Sequence, residues 1–243
     1  MDTRVDEIAE RIYRLATFVP GVGGPAGLTF TQFLIDADQP LLFHCGQRAL
    51  FPSVAAAARR IIGLDRLRWI TYSHAEADEC GSLNDWLAAA PLAVPAHGAV
   101  GCAIWLRDQA SRPPRVLGAA EALDLGGRRV RLLATPHLPH GWDAGLLFEE
   151  TTGTLFCSDL FSQAGEGPPL DASDILGPAI AAEEASRFTS LTPATGPMIR
   201  RLAALAPRRL ALMHGPTYTG DAALALAALA EYYEGRLQAG ATD

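Results

Sequence analysis

Positive charge is scarce in this sequence: 20 Lys and Arg stand against 27 Asp and Glu in 243 residues, a net charge of −7. The chain therefore has no overall field for nucleic acid or anionic lipid, and neither is an expected partner. Long apolar runs are missing too, since no stretch approaches the roughly 18 uninterrupted apolar residues of a membrane span. Residues 1–15 are acidic and polar, with no signal-peptide core. Sulfur is sparse. The four cysteines, Cys45, Cys80, Cys102 and Cys157, lie far apart without a CxxC pair. That excludes a disulfide framework and a rubredoxin-type iron site, and reads as reduced thiols in a cytoplasmic protein. No linker rich in Ser, Gly or Pro divides the chain, so residues 1–243 are expected to form a single domain. What is plentiful is apolar side chain: 49% apolar against 19% charged is enough for a sizeable core and excludes intrinsic disorder.

Strand and helix signals alternate along the chain. Residues 12–19 alternate moderately before a Pro-Gly-rich loop at 20–27, although 5–15 also fits a short helix. Residues 28–35 and 40–44 read as neighbouring strands joined by a turn at 36–39. Helices are expected at 51–62, closing at Gly63, and at 82–90, stopped by Pro91. Between and after them, 67–72 and 92–95 read as buried strands. In the second half, 128–135, 145–150, 154–158 and 208–213 read as strands, and 197–205 and 221–238 as helices. Residues 171–187 read as a helix interrupted near Gly177-Pro178. The mixture, with hairpins and crossovers, argues for two packed mixed sheets flanked by helices.

The chemistry gathers at strand ends. His74-Ala75-Glu76-Ala77-Asp78-Glu79 follows the strand 67–72, and in an extended loop residues two apart project to one side, so His74, Glu76 and Asp78 converge. So many ionisable groups beside an apolar strand call for a cation, since burial without one is costly. The competing reading is a solvated acidic turn at a helix N-terminus. His137-Leu138-Pro139-His140-Gly141-Trp142 lies beyond the strand 128–135, and Asp159 comes 19 residues after His140. His214-Gly215-Pro216 ends the strand 208–213. Histidines at three separate strand ends, with an Asp after two of the strands, point to a shared metal site.

In these motifs the chain resembles the metallo-β-lactamase superfamily, and within it the oxygen-binding diiron branch related to the N-terminal module of flavodiiron proteins. Hydrolytic members carry His-x-His-x-Asp-His, whereas His74-x-Glu76-x-Asp78 matches the diiron version. The resemblance implies a mixed α/β fold, a four-layer αββα sandwich, with the site at one edge between the sheets. It also implies one ion on His74, Glu76, His140 and Asp159, and a second on Asp78, Asp159 and His214. Two positions depart from the pattern. Glu79 stands where many relatives have His, as an outer support or a substitute ligand. Trp142 stands where a proline is usual two after the ligand His, whereas His137 has such a proline in Pro139. Spacing to Asp159 favours His140, with His137 as the alternative or a supporting donor. Trp142 and Tyr218 are candidates for the substrate pocket, with core packing as the competing reading. His44 and His97 read as structural histidines.

Replacing an imidazole with Glu76 hardens the site toward iron or manganese, while zinc remains open on raw affinity. Two iron ions imply binding or reduction of dioxygen or nitric oxide. Little chain follows the closing helix, so no flavin is expected here and electrons are expected from a separate donor protein. A hydrolase acting on a small-molecule substrate through a bridging hydroxide, or a non-catalytic oxygen sensor, are the alternatives. The Ala-Leu face of the last helix fits either core burial or a homodimer contact.

Overall fold

The computed structural model describes residues 1–119 and 121–240. Seven strands follow one another in chain order across a first sheet: β1 (Thr3–Ala9), β2 (Ile12–Val19), β3 (Leu28–Ile35), β4 (Leu41–Phe43), β5 (Trp69–Thr71), β6 (Val94–Gly98) and β7 (Arg115–Leu117). Hairpins make β1 to β4 antiparallel, and crossovers make β4 to β7 parallel. The second sheet comprises β8 (Leu123–Asp124), β9 (Arg129–Ala134), β10 (Gly145–Glu149), β11 (Thr154–Phe156), β12 (Leu170–Asp171), β13 (Arg209–Ala211) and β14 (Thr217–Tyr218), in the order β12-β14-β13-β11-β10-β9-β8. Its one parallel pairing near the centre, β11 with β13, brings two chain-distant strand ends side by side.

Alternation along the strands builds the layers. In β4, Leu41 and Phe43 point to the space between the sheets, where they meet Val130, Leu147 and Phe156 of the second sheet. Leu42 points the other way, toward α1 (Phe51–Ala58). Also on that side lie α2 (Ala77–Cys80), α3 (Leu83–Ala89), and α4 (Ala99–Gly101) and α5 (Arg107–Gln109), which are joined by a π-helical turn at Cys102–Leu106. In β10 the same period sends Leu147 inward, and Leu146 and Phe148 outward. That outer face carries α6 (Leu176–Ser186), α7 (Thr195–Ala203) and α8 (Ala222–Gly240). The result is the expected αββα sandwich.

Several local expectations change. The helix at 51–62 keeps α-helical form only to Ala58, after which Arg60 and Ile61 bond three residues back in a tightened turn. The strand expected at 92–95 is displaced to Val94–Gly98, with Leu92 left 54% exposed ahead of it and His97 inside it. Gly177-Pro178 does not interrupt a helix but opens α6. The Asp174 carboxylate accepts the Leu176 and Gly177 N–H groups, and Pro178 occupies the first turn, where no N–H is needed. Asp171, placed in that helix from the sequence, lies in β12. The stretch 99–109, with β-branched, aromatic and glycine residues, gave no helical signal; packing of Cys102 and Leu106 into the core imposes one. Residues 5–15 form a strand hairpin, not a helix. Among the described residues no helix is long and apolar enough to cross a membrane.

Candidate metal centre

The site lies where β5, β9, β11 and β13 end at one edge of the sandwich. The Gly145 N–H bonds to the Ser73 carbonyl at 2.9 Å and the Met213 N–H to the Ser158 carbonyl at 3.1 Å, so the loops that follow are cross-tied. The extended loop expected from the sequence is not what forms: the chain bends at residues 73–75, where the Glu76 N–H closes back on the His74 carbonyl at 3.0 Å, and α2 begins at Ala77 with Asp78 and Glu79 in its first turn. This turn separates the two acids. Asp78 faces His214, and Glu79 points into the protein.

His74, Glu76, His140 and Asp159 each offer a ligand atom, and these atoms lie within 4.8 Å of one another. The Nε2 atoms of His74 and His140 lie 2.9 and 2.8 Å from Glu76 Oε2. Asp159 Oδ2 lies 3.6 and 3.7 Å from the same two nitrogens. Its other oxygen, Oδ1, lies 3.2 Å from His214 Nε2, which is 3.3 Å from Asp78 Oδ2. Asp78 and His214 thus adjoin the four-residue group through Asp159, whose carboxylate reaches both. His137 is not brought in: it is exposed at a left-handed φ of 66°, on the far side of the cis Leu138-Pro139 bond from His140.

The surroundings hold the imidazoles in one orientation. His214 Nδ1 donates to the Thr29 carbonyl at 2.8 Å, which leaves Nε2 for the cluster. The buried Arg14 donates Nη2 to the Gly215 carbonyl at 3.0 Å and so fixes the following turn. Gly141 sits against His74, and a Cβ there would lie 2.7 Å from that side chain's own Cβ. Glu79, fully buried, accepts the Ser73 N–H at 2.8 Å and the Ser158 hydroxyl at 2.5 Å. Its Oε1 is 3.6 Å from His74 Nδ1, so it supports the cluster from behind. His97 Nε2 bonds to the Ser73 carbonyl at 3.1 Å. All four cysteines are buried and free.

The electrostatics are those of a cation site. Burial opposes charge on His214, yet hydrogen bonds to Asp159 and Asp78 outweigh it and raise its pKa to about 10. Burial likewise opposes charge on His74, while Glu79, Glu76 and Asp159 lift it to about 9. Hydrogen bonds from His140 and His74 hold Glu76 well below the usual carboxylate range. Imidazoles that retain protons this strongly beside Glu76, Asp78, Glu79 and Asp159 mark a place where positive charge is wanted. The mixed nitrogen and carboxylate donors fit a metal ion.

A cleft of about 530 Å³ opens above the cluster. Two expected pocket residues do not line it. Trp142 is 59% exposed and lines a separate groove beside Val116 and Leu132. Tyr218 packs against the core beneath α6–α8. The sequence reading missed the wall actually present, the alanine face of α6 with Phe188; its alanine spacing was visible but ordinary for any helix.

This sandwich, with its cluster of His, Glu and Asp side chains at the strand ends of one edge, is of the metallo-β-lactamase type. The model of the ODP family beta lactamases matches residues 28–174, and the chain belongs to that family. Diflavin flavoprotein A 2 of Synechocystis sp. is 26% identical over 138 residues, 56% of this chain and 24% of the relative. The metal-soaked Flv1 flavodiiron core of Synechocystis sp. PCC6803 superposes with a TM-score of 0.83 at 19% identity, over 98% of this chain and 62% of that one. Rubredoxin oxygen:oxidoreductase of Desulfovibrio gigas gives 0.79 at 19% identity, over 95% and 62%. This chain spans less than two thirds of each of these relatives.

Proposed function

We propose that the chain acts as one domain holding two iron ions, and that it binds or reduces dioxygen or nitric oxide with electrons from a separate donor protein. The observation that carries this reading is the division of Asp159: one carboxylate oxygen faces His74 and His140, the other His214. One ion is assigned to His74, Glu76, His140 and Asp159, the other to Asp78, Asp159 and His214. Glu76 in place of a third imidazole in the loop supports iron over zinc. A dinuclear ferrous centre, when bound, supplies electrons and open coordination positions to a diatomic gas. The chain's own residues do the rest. Thr29 and Ser73 orient His214 and His74 through their Nδ1 atoms. Glu79 braces the loop from the protein side, and the cleft above the cluster admits a small molecule.

Anaerobic purification with elemental analysis tests the assignment. Oxygen and nitric oxide consumption is then measured with an artificial electron donor. Two irons per chain with gas binding or consumption is the expected result. Two zincs with esterase or lactonase activity and no response to either gas would overturn it in favour of hydrolysis.

A further inference from the structure

The cleft is far larger than a diatomic molecule needs, and its 530 Å³ falls within the roughly 300–1,000 Å³ of pockets that enclose drug-sized ligands. Its long wall is one face of α6. Pro178, Ala181, Ala182 and Ala185 recur at helical spacing and all line the space, so the wall is built from side chains too small to fill it. Leu28 and Phe188 add apolar surface.

The opposite face of α6 explains why this wall stays in place. Glu183 is buried there and accepts Arg236 Nη1 at 2.6 Å and the Thr189 hydroxyl at 2.8 Å, and lies 3.4 Å from the Tyr233 hydroxyl. A helix tethered to α8 by a half-buried ion pair is a fixed wall, so the cleft is preformed. Among the described residues no Arg or Lys lines it. Beyond the cluster its polar lining is Ser162, Gln163 and Ser186. Along the α6 wall, away from the cluster, nothing compensates a phosphate or a free carboxylate, whose burial there without a partner is heavily penalised.

We propose that this cleft is a binding site for an uncharged, mainly apolar organic molecule of one or two fused rings, seated against the alanine face of α6 beside the metal cluster. The proposal adds a ligand class to the site read above and rests on that reading only for the cleft's floor.

The probe is prodan, a neutral naphthalene ketone whose emission shifts blue in apolar surroundings, titrated into metal-loaded and metal-free chain. Saturable one-to-one binding in both forms is expected. Neutral 2-naphthol should displace it, and 2-naphthyl phosphate, whose charged group finds no partner along the α6 wall, should displace it less well. Ala182→Trp fills the cleft from its wall and should weaken binding at least tenfold, with metal content unchanged. Ala185→Phe, at an exposed position of the same face, is the second obstruction if the first variant folds poorly. Absence of saturable binding, equal affinity in both variants, or equal displacement by the phosphate overturns the proposal. Metal content is read separately: probe binding to a chain that takes up no metal upholds the cleft and refutes the dinuclear reading.

Discussion

Glu79 Oε2 lies 3.1 Å from His44 Nε2, and both side chains are wholly inaccessible to solvent. Burial pushes Glu79 up to about 8 and His44 down to about 3, so burial disfavours charge on both members of the pair. Both backbones that present partners to Glu79 from the other strand ends are in unusual conformations, with φ of 67° at His44 and 49° at Ser158. One carboxyl group therefore joins the ends of β4, β5 and β11 beneath the cluster.

Removing it should be felt in stability before anything else. Glu79→Ala strands the Ser73 N–H and the Ser158 hydroxyl, each a loss of about 1–3 kcal/mol. Glu79→Gln retains an acceptor of the same shape and should cost less than half as much. Denaturant midpoints of the two variants compare them, and equal midpoints would show that Glu79 is no hub.

Metal stoichiometry should separate the ligands. Asp159→Ala removes the group facing both halves of the cluster and is expected to reduce two ions per chain toward none. His214→Ala should leave about one. His137→Ala, at an exposed position outside the cluster, should leave two. Elemental analysis decides, and loss of an ion from the His137 variant would reverse the choice of His140.

The metal-free chain should lose stability as pH rises. His74 and His214 titrate near 9 and 10 in the fold against 6.5 unfolded, so the folded state holds their protons more tightly. Their contribution is full below about pH 6.5 and disappears as pH climbs through 9 to 10. Thermal melts at stepped pH should show Tm falling over that interval. A cation competes with the same protons, so metal affinity should rise across it.

Gly141→Ala tests the packing around His74. The added methyl meets the His74 Cβ at 2.7 Å and must displace the imidazole. Metal affinity, read by chelator competition, should fall about 10- to 100-fold, as for other supports of ligand orientation. The fold itself should survive, since Gly141 lies in a loop.

The wall helix supplies a further measurement. Glu183→Ala leaves Arg236 without its partner and should destabilise by about 2–3 kcal/mol, less than a fully buried pair because Arg236 is partly exposed. Chemical denaturation gives the value, and no change would mean that α6 is held by its apolar contacts alone.

The layers were legible because apolar alternation is a local property. Leu41, Leu42 and Phe43 assign their own faces, and residues 28–35 form a strand with the boundaries their composition suggests. What failed was of two kinds. Gly177-Pro178 was taken for a break because the same pair serves inside a first turn, and only the Asp174 cap tells the two apart. The helical stretch 99–109 has no local preference strong enough to announce itself, and the core decides its form.

The sequence alone determined the donor types, their order along the chain and the alternation that stacks two sheets, since these depend on residue identity and on neighbours a few positions away. Only the tertiary structure decided that Asp159 faces imidazoles on both sides, that Glu79 turns inward to His44, that His137 stays outside, and that the cleft wall is α6 instead of Trp142 and Tyr218. Those are relations between strand ends up to 140 residues apart, from His74 to His214. Side-chain direction at such a distance is settled by which sheets pair and how loops are tied, not by spacing.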